Sequence, residues 1–408
     1  MYRNQLTVSK HVFGGAAASV SQRATRAIVD LDAIAGNVAI FRNLIAPATK
    51  LLAVVKANGY GHGAVMIAGT ALAAGADQLA VATVDEGAEL RAAQIHAPIL
   101  VLGPASHSEI ARALRLGLQL SVATLASINA ISDEADCAGA LRPAELHLKI
   151  DTGMRRYGCM PENALALARR IAEDRRLKFT GLFTHFASAD EENEQRTLEQ
   201  VDVFEATVDT IRTSGIDVGI RHVANSAATL RSRRYDYDLV RVGISLYGIA
   251  PSSETTLASG LRPAMSIRSE LGRVFELAPG DRVSYGGTYV ARNRERAALV
   301  PIGYADGYRR GFSGKAWMAI DGVQCPILGR VCMDQTIIGL PAEVQAHEGN
   351  EVIIAGTGTA PSLDELANVV GTIPYEIAAS IARRVPRYFV ERGDLVAVED
   401  LDGLHQLR

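Results

Sequence analysis

Between Leu51 and Ser245 the chain repeats one pattern: a short apolar, β-branched run, then a helix-length stretch of polar or alanine-rich residues. The runs are Leu51–Lys56, Gln78–Thr83, Pro98–Gly103, Leu118–Thr124, Glu145–Asp151, Thr180–His185, Arg221–Ser226 and Leu239–Ser245. Strands alternating with helices pair in parallel, and eight such units imply a (β/α)8 TIM barrel rather than an open sheet. The segments between them suit helices. Asp85–Arg91 and Glu162–Glu173 carry good helix formers, and Thr197–Ser214 is expected to bury Leu198, Val201, Phe204, Val208 and Ile211 along one face.

Near Gly248–Ser253 the pattern changes, and beyond it a periodicity of two predominates. A mostly-β C-terminal domain is expected there. Asp321-Gly322 marks a two-residue hairpin within Ala316–Cys325, and Glu351–Ala355 and Leu395–Val398 read as further strands. Pro374 opens one helix over Tyr375–Ile381. The expected organisation is a flexible N-terminal arm over 1–25, a barrel over 26–262 and a β domain over 263–408.

Composition narrows the function. The 408 residues suit a barrel plus a smaller domain, and a formal net charge of −3 with dispersed acids and bases offers no stripe for nucleic acid. No apolar run approaches the ~20 residues of a membrane span. Cys137, Cys159, Cys325 and Cys332 show neither a CxxC pair nor metal-ligand spacing, so free thiols, no metal and a cytoplasmic setting are expected. The first 29 residues lack acids and include Arg3, Lys10, Arg23 and Arg26, but their weak apolar content reads as an arm, not a secretory signal.

Barrel active sites lie where the strands end, so the residues closing each run are the candidates. Lys56 ends the first run, after consecutive apolar residues and before a glycine-rich turn. Partial desolvation there lowers an amine's pKa and readies it as nucleophile or base. The fifth run leads into Asp151–Arg156, the sixth ends at His185, the seventh at Asn225-Ser226, and the eighth supplies Arg241, Gly243 and Ile244. Loops after strands seven and eight commonly hold phosphate, which Ser226 and the amides of Gly243 and Ile244 suit. A phosphate cradle facing a lysine that can bind an aldehyde describes pyridoxal 5'-phosphate (PLP). Each residue taken singly has a plainer reading: His185 as a core histidine, Arg241 as a buried structural cation, Arg155 as a solvated loop charge.

The segment AVVKANGYGHG at 53–63 closely resembles the PLP-lysine segment of the alanine racemase family, and further segments resemble that family in order along the chain. They are HLKIDTGMRRYG at 147–158, FTHFA at 183–187, NSAA at 225–228, RVGISLYG at 241–248, SYGGTY at 284–289, PIGYADG at 301–307, GRVCMDQ at 329–335 and PYEI at 374–377. Carried over, the resemblance implies that Lys56 binds PLP covalently and acts as one of two acid/base groups, with Tyr285 as the other. It implies a homodimer in which Tyr285 of one copy faces Lys56 of the other. Tyr60, Ser226, Gly243, Ile244 and Tyr375 would hold the phosphate, Arg241 the pyridine nitrogen with His185 beside it, and Arg156 the phenolate oxygen. Arg156 and Met333 would also border the substrate, with Tyr304 and Asp334 lining or supporting the entrance. Lys149 stands where some relatives carry a carbamylated lysine. The chain departs from the family at Phe183, where tyrosine is frequent, at Val242, where proline is frequent, and at Arg155, where a small residue is frequent.

The implied activity is interconversion of L- and D-alanine, either supplying D-alanine for peptidoglycan or catabolising it. Inversion needs a base on each face of a planar carbanion. Free lysine and tyrosine both titrate near ~10, so positive neighbours such as Arg156 and His185, with burial of the lysine, are expected to lower them. Three other readings stand beside this one. A racemase of the same architecture could act on serine, lysine or arginine. A barrel-only PLP-binding homeostasis protein would lack the β domain and a Tyr285 equivalent, and a related decarboxylase would place an acid where Arg241 stands.

Overall fold

The computed structural model describes residues 20–137 and 142–407, so residues 1–19 of the expected arm lie outside the described residues. Contacts divide the chain into two compact units. One is Ile34–Gly59 with Ala64–Leu261, and the other joins the described residues up to Ala33, Tyr60–Gly63 and the chain from Arg262 onward.

The first unit is the barrel. After β1 (Arg26–Asp30) come its strands, β2 (Lys50–Val54), β3 (Gln78–Val81), β4 (Ile99–Val101), β5 (Gln119–Val122), β6 (Ala144–Lys149), β7 (Leu177–Phe183), β8 (Ile220–His222) and β9 (Leu239–Val242). Parallel ladders run from β2 through β8 in sequence order, and β9 pairs with β2 on its other side. The remaining seam is bridged by Asp238 N–H to Arg221 O and Arg241 N–H to Ala224 O, both 3.1 Å. Each of the eight runs read from the sequence contributes one of these strands. Strands in a parallel barrel are covered on both faces, which is why they appear as near-continuous apolar runs.

The second unit is mostly β. Its eight-stranded sheet places β1 between β10 (Met265–Glu270), paired antiparallel, and Arg387–Glu391, paired parallel. This moves the start of the barrel unit from the expected Arg26 to Ile34, because β1 satisfies its backbone bonds in the other unit. The arm expected over 1–25 also ends too late. Thr25 is fully buried, with its hydroxyl 2.8 Å from Ser269 Oγ and 2.7 Å from Pro301 O, and Ser21 N–H donates to Asp400 at 2.8 Å. The expected hairpin forms between Trp317–Ile320 and Val323–Pro326, turning at Asp321 and Gly322, which adopt φ of 48° and 82°.

Tyr60–Gly63 belong to this second unit although Lys56 does not. Arg387, almost fully buried, donates from Nε to Gly61 O at 3.0 Å and spends its other nitrogens on the carbonyls of Ile381, Ala382 and Val385. Gly61 adopts φ +80°, and a Cβ there would lie 2.1 Å from Ala378 O. Only glycine fits. Among the described residues no helix is long and apolar enough to cross a membrane, and Cys159, Cys325 and Cys332 are free thiols. The side chain of Cys137 lies outside the described ones.

Candidate active site

Lys56 lies two residues beyond the end of β2, at the start of a turn in which Ala57, Asn58 and Gly59 all adopt left-handed geometry, with φ of 53°, 51° and 59°. For the two residues with a Cβ this costs about 1–2 kcal/mol each, so the turn needs outside support. Glu86 gives it. Its carboxylate accepts from Ala57 N–H at 2.7 Å and Ala82 N–H at 2.6 Å, while Asn58 Oδ1 accepts from Ala64 N–H at 2.7 Å. Burial, followed by the charge of Arg156, lowers the Lys56 pKa, and Glu86 partly opposes them. The amine is thereby readied to lose its proton.

Arg241, buried on β9, makes five hydrogen bonds. Nη1 meets His222 Nδ1 and donates to His222 O, both at 3.0 Å. Nη2 donates to Thr184 O at 2.8 Å and Val223 O at 3.1 Å, and meets His185 Nδ1 at 3.3 Å. All five bonds use Nη1 or Nη2, and Nε takes none among the described residues. Burial draws the guanidinium down to about 9, so it remains a cation at neutral pH. His185 differs from expectation: burial, then Arg241 and Arg156, hold it well below the usual histidine value. It is neutral. Arg156 is therefore the positive neighbour of Lys56, and His185 adds no charge.

The loop after β6 folds back on itself, with Asp151 N–H bonded to Cys159 O and Cys159 N–H to Lys149 O, both 2.8 Å. Asp151 Oδ1 accepts from Gly153 N–H at 2.9 Å and Arg155 N–H at 3.0 Å, which sets the turn carrying Arg156. Lys149 is buried, with Nζ 4.9 Å from the Tyr157 ring centroid and 5.4 Å from that of Phe183. Burial, then Arg241 and Arg156, lowers its pKa to about 8.

The turns after β8 and β9, where a phosphate cradle was expected, are bonded to each other. Ser226 Oγ accepts from Gly243 N–H at 2.9 Å and Ser245 N–H at 3.5 Å, while Asn225 Oδ1 caps the short helix Ser226–Arg231 through Ala228 N–H at 3.0 Å. Ile244 follows, buried, in the same turn. The Ser245 hydroxyl is buried and has no hydrogen-bond partner among the described residues.

In the β unit, the loops holding Tyr285, Tyr304, Met333 and Asp334 are tied together. Ser284, with φ of 63°, donates its hydroxyl to Arg330 O at 2.6 Å and contacts Cys332 Sγ at 3.2 Å. Tyr304 N–H bonds Cys332 O and Ala305 N–H bonds Met333 O, both at 3.0 Å. Arg384 joins Asp334 at 2.5 Å and the fully buried Asp306 at 2.6 Å. Tyr285 is 72% exposed and Met333 52%, although the loops that carry them are well bonded. In the same unit the Tyr60 and Tyr375 rings pack edge to face, 6.1 Å apart.

Three contributors escaped the sequence reading. Glu86 supports the lysine turn, and His222 orients Arg241. Gln200 donates to Thr152 Oγ1 at 2.9 Å and His185 O at 3.1 Å, and accepts from Ala187 N–H at 2.8 Å. The helix Gln195–Thr213 therefore buries Thr197 and Gln200 in its first half, in place of the expected Leu198 and Val201. A polar residue on the buried side of the helix was the available signal.

The alanine racemase N-terminal domain profile matches residues 29–251 and the C-terminal domain profile residues 264–389. The alanine racemase of Desulfovibrio desulfuricans is 40% identical, covering 89% of this chain and 97% of its own, and that of Symbiobacterium thermophilum is 41% identical, covering 90% and 97%. The crystal structure of alanine racemase from Bacillus anthracis with bound L-Ala-P superposes with a TM-score of 0.89 at 37% identity, covering 94% of this chain and 99% of the other. Both halves of the chain match at this depth, and the chain belongs to the alanine racemase family.

Proposed function

We propose that this chain is a PLP-dependent racemase that interconverts L- and D-alanine, using Lys56 and Tyr285 as its two acid/base groups. The buried Arg241 carries the reading: five bonds fix its outer nitrogens while Nε–H has no acceptor among the described residues. That donor suits the ring nitrogen of PLP, and the unpartnered hydroxyl of Ser245, beside Ser226 and Gly243, suits the neighbourhood of its phosphate. When bound, PLP supplies the electron sink that makes an amino acid's α-proton removable.

The remaining work falls to the chain's own groups. Lys56 would hold the cofactor, then act as base or acid on one face of the substrate. Burial, then the charge of Arg156, lowers its pKa and so favours the neutral amine more than in an exposed lysine. Tyr285 would act on the opposite face, with Met333 and Arg156 bordering the substrate and Tyr304 and Asp334 at the entrance. Ser226, Gly243, Ile244, Tyr60 and Tyr375 would hold the phosphate, with His185, neutral, beside the ring. Arg241 has no lone pair and stays charged, so it can donate to the ring nitrogen but cannot supply it with a proton as a carboxylic acid would.

Lys56 and Tyr285 belong to different compact units. We infer, as the family resemblance implies, a homodimer in which each site combines Lys56 of one copy with Tyr285 of the other. We place the reaction in the cytoplasm, a setting that suits the free thiols, with D-alanine supplied for peptidoglycan. The test is direct. With PLP present in D2O, L-alanine should lose optical rotation and take deuterium at its α-carbon, and borohydride should fix the cofactor to the peptide containing Lys56. Label on another lysine would overturn the assignment.

A further inference from the structure

His147 lies inside β6, two residues before Lys149, and it is fully buried. Its Nδ1 is 2.9 Å from Nε2 of His222, whose own Nδ1 is 3.0 Å from Nη1 of Arg241. The three side chains form a line through the barrel interior. Its polarity follows from donor counting. A guanidinium has only donors, so His222 Nδ1 must accept. Neutral His222 then carries its proton on Nε2, and His147 Nδ1 must accept in turn. His147 is left with its proton on Nε2, an atom that is buried and has no hydrogen-bond partner among the described residues.

The barrel is shaped to admit this line. The β6–β7 ladder shifts register at His147: Leu146 faces Phe179 but His147 faces Gly181, which leaves Thr180 as an extra residue. Bulges are rare in parallel pairs and tend to re-aim a side chain beside a functional site. A Cβ on Gly181 would lie 2.5 Å from His147 Nδ1, so the residue opposite His147 must lack one. Phe183 closes the line by stacking on His222, with 4.6 Å between centroids and 4° between planes. Burial, and for His222 the adjacent Arg241 charge, keep both imidazoles neutral.

We propose that His147 is a positioning residue for racemisation: by accepting from His222 it fixes that ring's tautomer, and through it the orientation in which Arg241 is presented to the cofactor. An unpartnered buried N–H is thereby kept at the far end of the line, away from Arg241. The proposal rests on the assignment of Arg241 to the ring nitrogen, and its test separates the two.

The holoenzyme is labelled with 15N-histidine, and the resonances of positions 147 and 222 are assigned by comparing His147→Gln and His147→Leu. Both rings are expected to be neutral and protonated on Nε2 across neutral pH. An Nδ1-protonated or charged ring at either position overturns the proposal and leaves the racemase reading intact. In parallel, kcat and KM for alanine are measured with thermal stability. His147→Leu moves the orphan donor to His222 without adding a new one, so stability should stay near that of the parent. Its kcat should fall about tenfold, the scale of one misdirected charge-assisted hydrogen bond, with KM little changed. Glutamine can accept from His222 and should restore most of the rate. A rate loss that tracks stability, without rescue by glutamine, means that His147 is only a packing residue. The expected tautomers with unchanged kcat in both variants overturn the positioning role and place the fault in the assignment of Arg241.

Discussion

Tyr247 donates its hydroxyl to the carbonyl oxygen of Val54 at 3.0 Å, linking the turn after β9 to the end of β2, two residues before Lys56. Both groups are buried, and this bond fixes the cradle turn against the lysine strand. Tyr247→Phe leaves the Val54 carbonyl unsatisfied, which costs about 1–3 kcal/mol. Urea denaturation should show that loss, and titration with PLP should show weaker binding. Full stability with unaltered PLP affinity would mean that the two strands are held in register by other contacts.

Gln200 spans the loops after β6 and β7 through bonds to Thr152, His185 and Ala187. Gln200→Met keeps the length of the side chain and removes every bond. We expect kcat/KM to fall by about ten- to a hundredfold, because small displacements of positioned groups are costly. Gln200→Glu, which can still accept from Ala187 N–H, should fall between the parent and the methionine variant in steady-state assays.

Mixing two inactive chains tests the shared site. Lys56→Ala and Tyr285→Phe homodimers should each be nearly inert, while heterodimers should contain one site with both acid/base groups. Activity should appear on mixing, to about a quarter of the parental level if exchange is random, since half of the dimers would hold one intact site of two. Heterodimers seen by native mass spectrometry but silent in the assay would count against a Tyr285 contribution from the second copy.

Arg241→Glu exchanges a permanent cation for a group able to protonate the ring nitrogen. Racemisation should fall by at least about a hundredfold. A slow side reaction should emerge in which the amino group of alanine passes to the cofactor and water releases pyruvate. Pyruvate can be followed with lactate dehydrogenase and NADH. If PLP still binds and no pyruvate forms, Arg241 acts by orientation alone.

Lys149 offers a pH test of stability. Its pKa in the folded chain is about 8 against an ordinary 10.5, so between those values the unfolded chain binds more protons than the folded one. Stability must therefore rise with pH across that window, and below about pH 8 the penalty is constant. In bicarbonate-free buffer, denaturant midpoints should climb from pH 8 to 10 for the parent and climb less for Lys149→Met. Parallel curves would show that the Lys149 amine is not the group responsible.

Much of this was legible in the sequence, and the exceptions share a cause. Strands covered on both faces leave an apolar run that needs no knowledge of partners, so all eight barrel strands could be read, along with the polar residues at their ends. β1 carries no such signal, because the residues that claim it lie beyond position 264. Gln200 was missed because apolar periodicity assumes that helices bury only apolar groups. His185 was expected to be charged, yet its neutrality follows from burial and then from Arg241, both of which only the folded barrel creates.

Tyr60–Gly63 give the molecule an indivisible inheritance. Four residues immediately beyond the lysine turn are seated by Arg387, Ala378 and Phe389 of their own unit, residues encoded more than three hundred codons later. A single crossover near Leu261 between two relatives would exchange the seat without exchanging what sits in it. Chimaeras should tolerate such a splice only where both parents share the fit of Gly61 and Gly63, and the two halves of the gene are accordingly expected to diverge together.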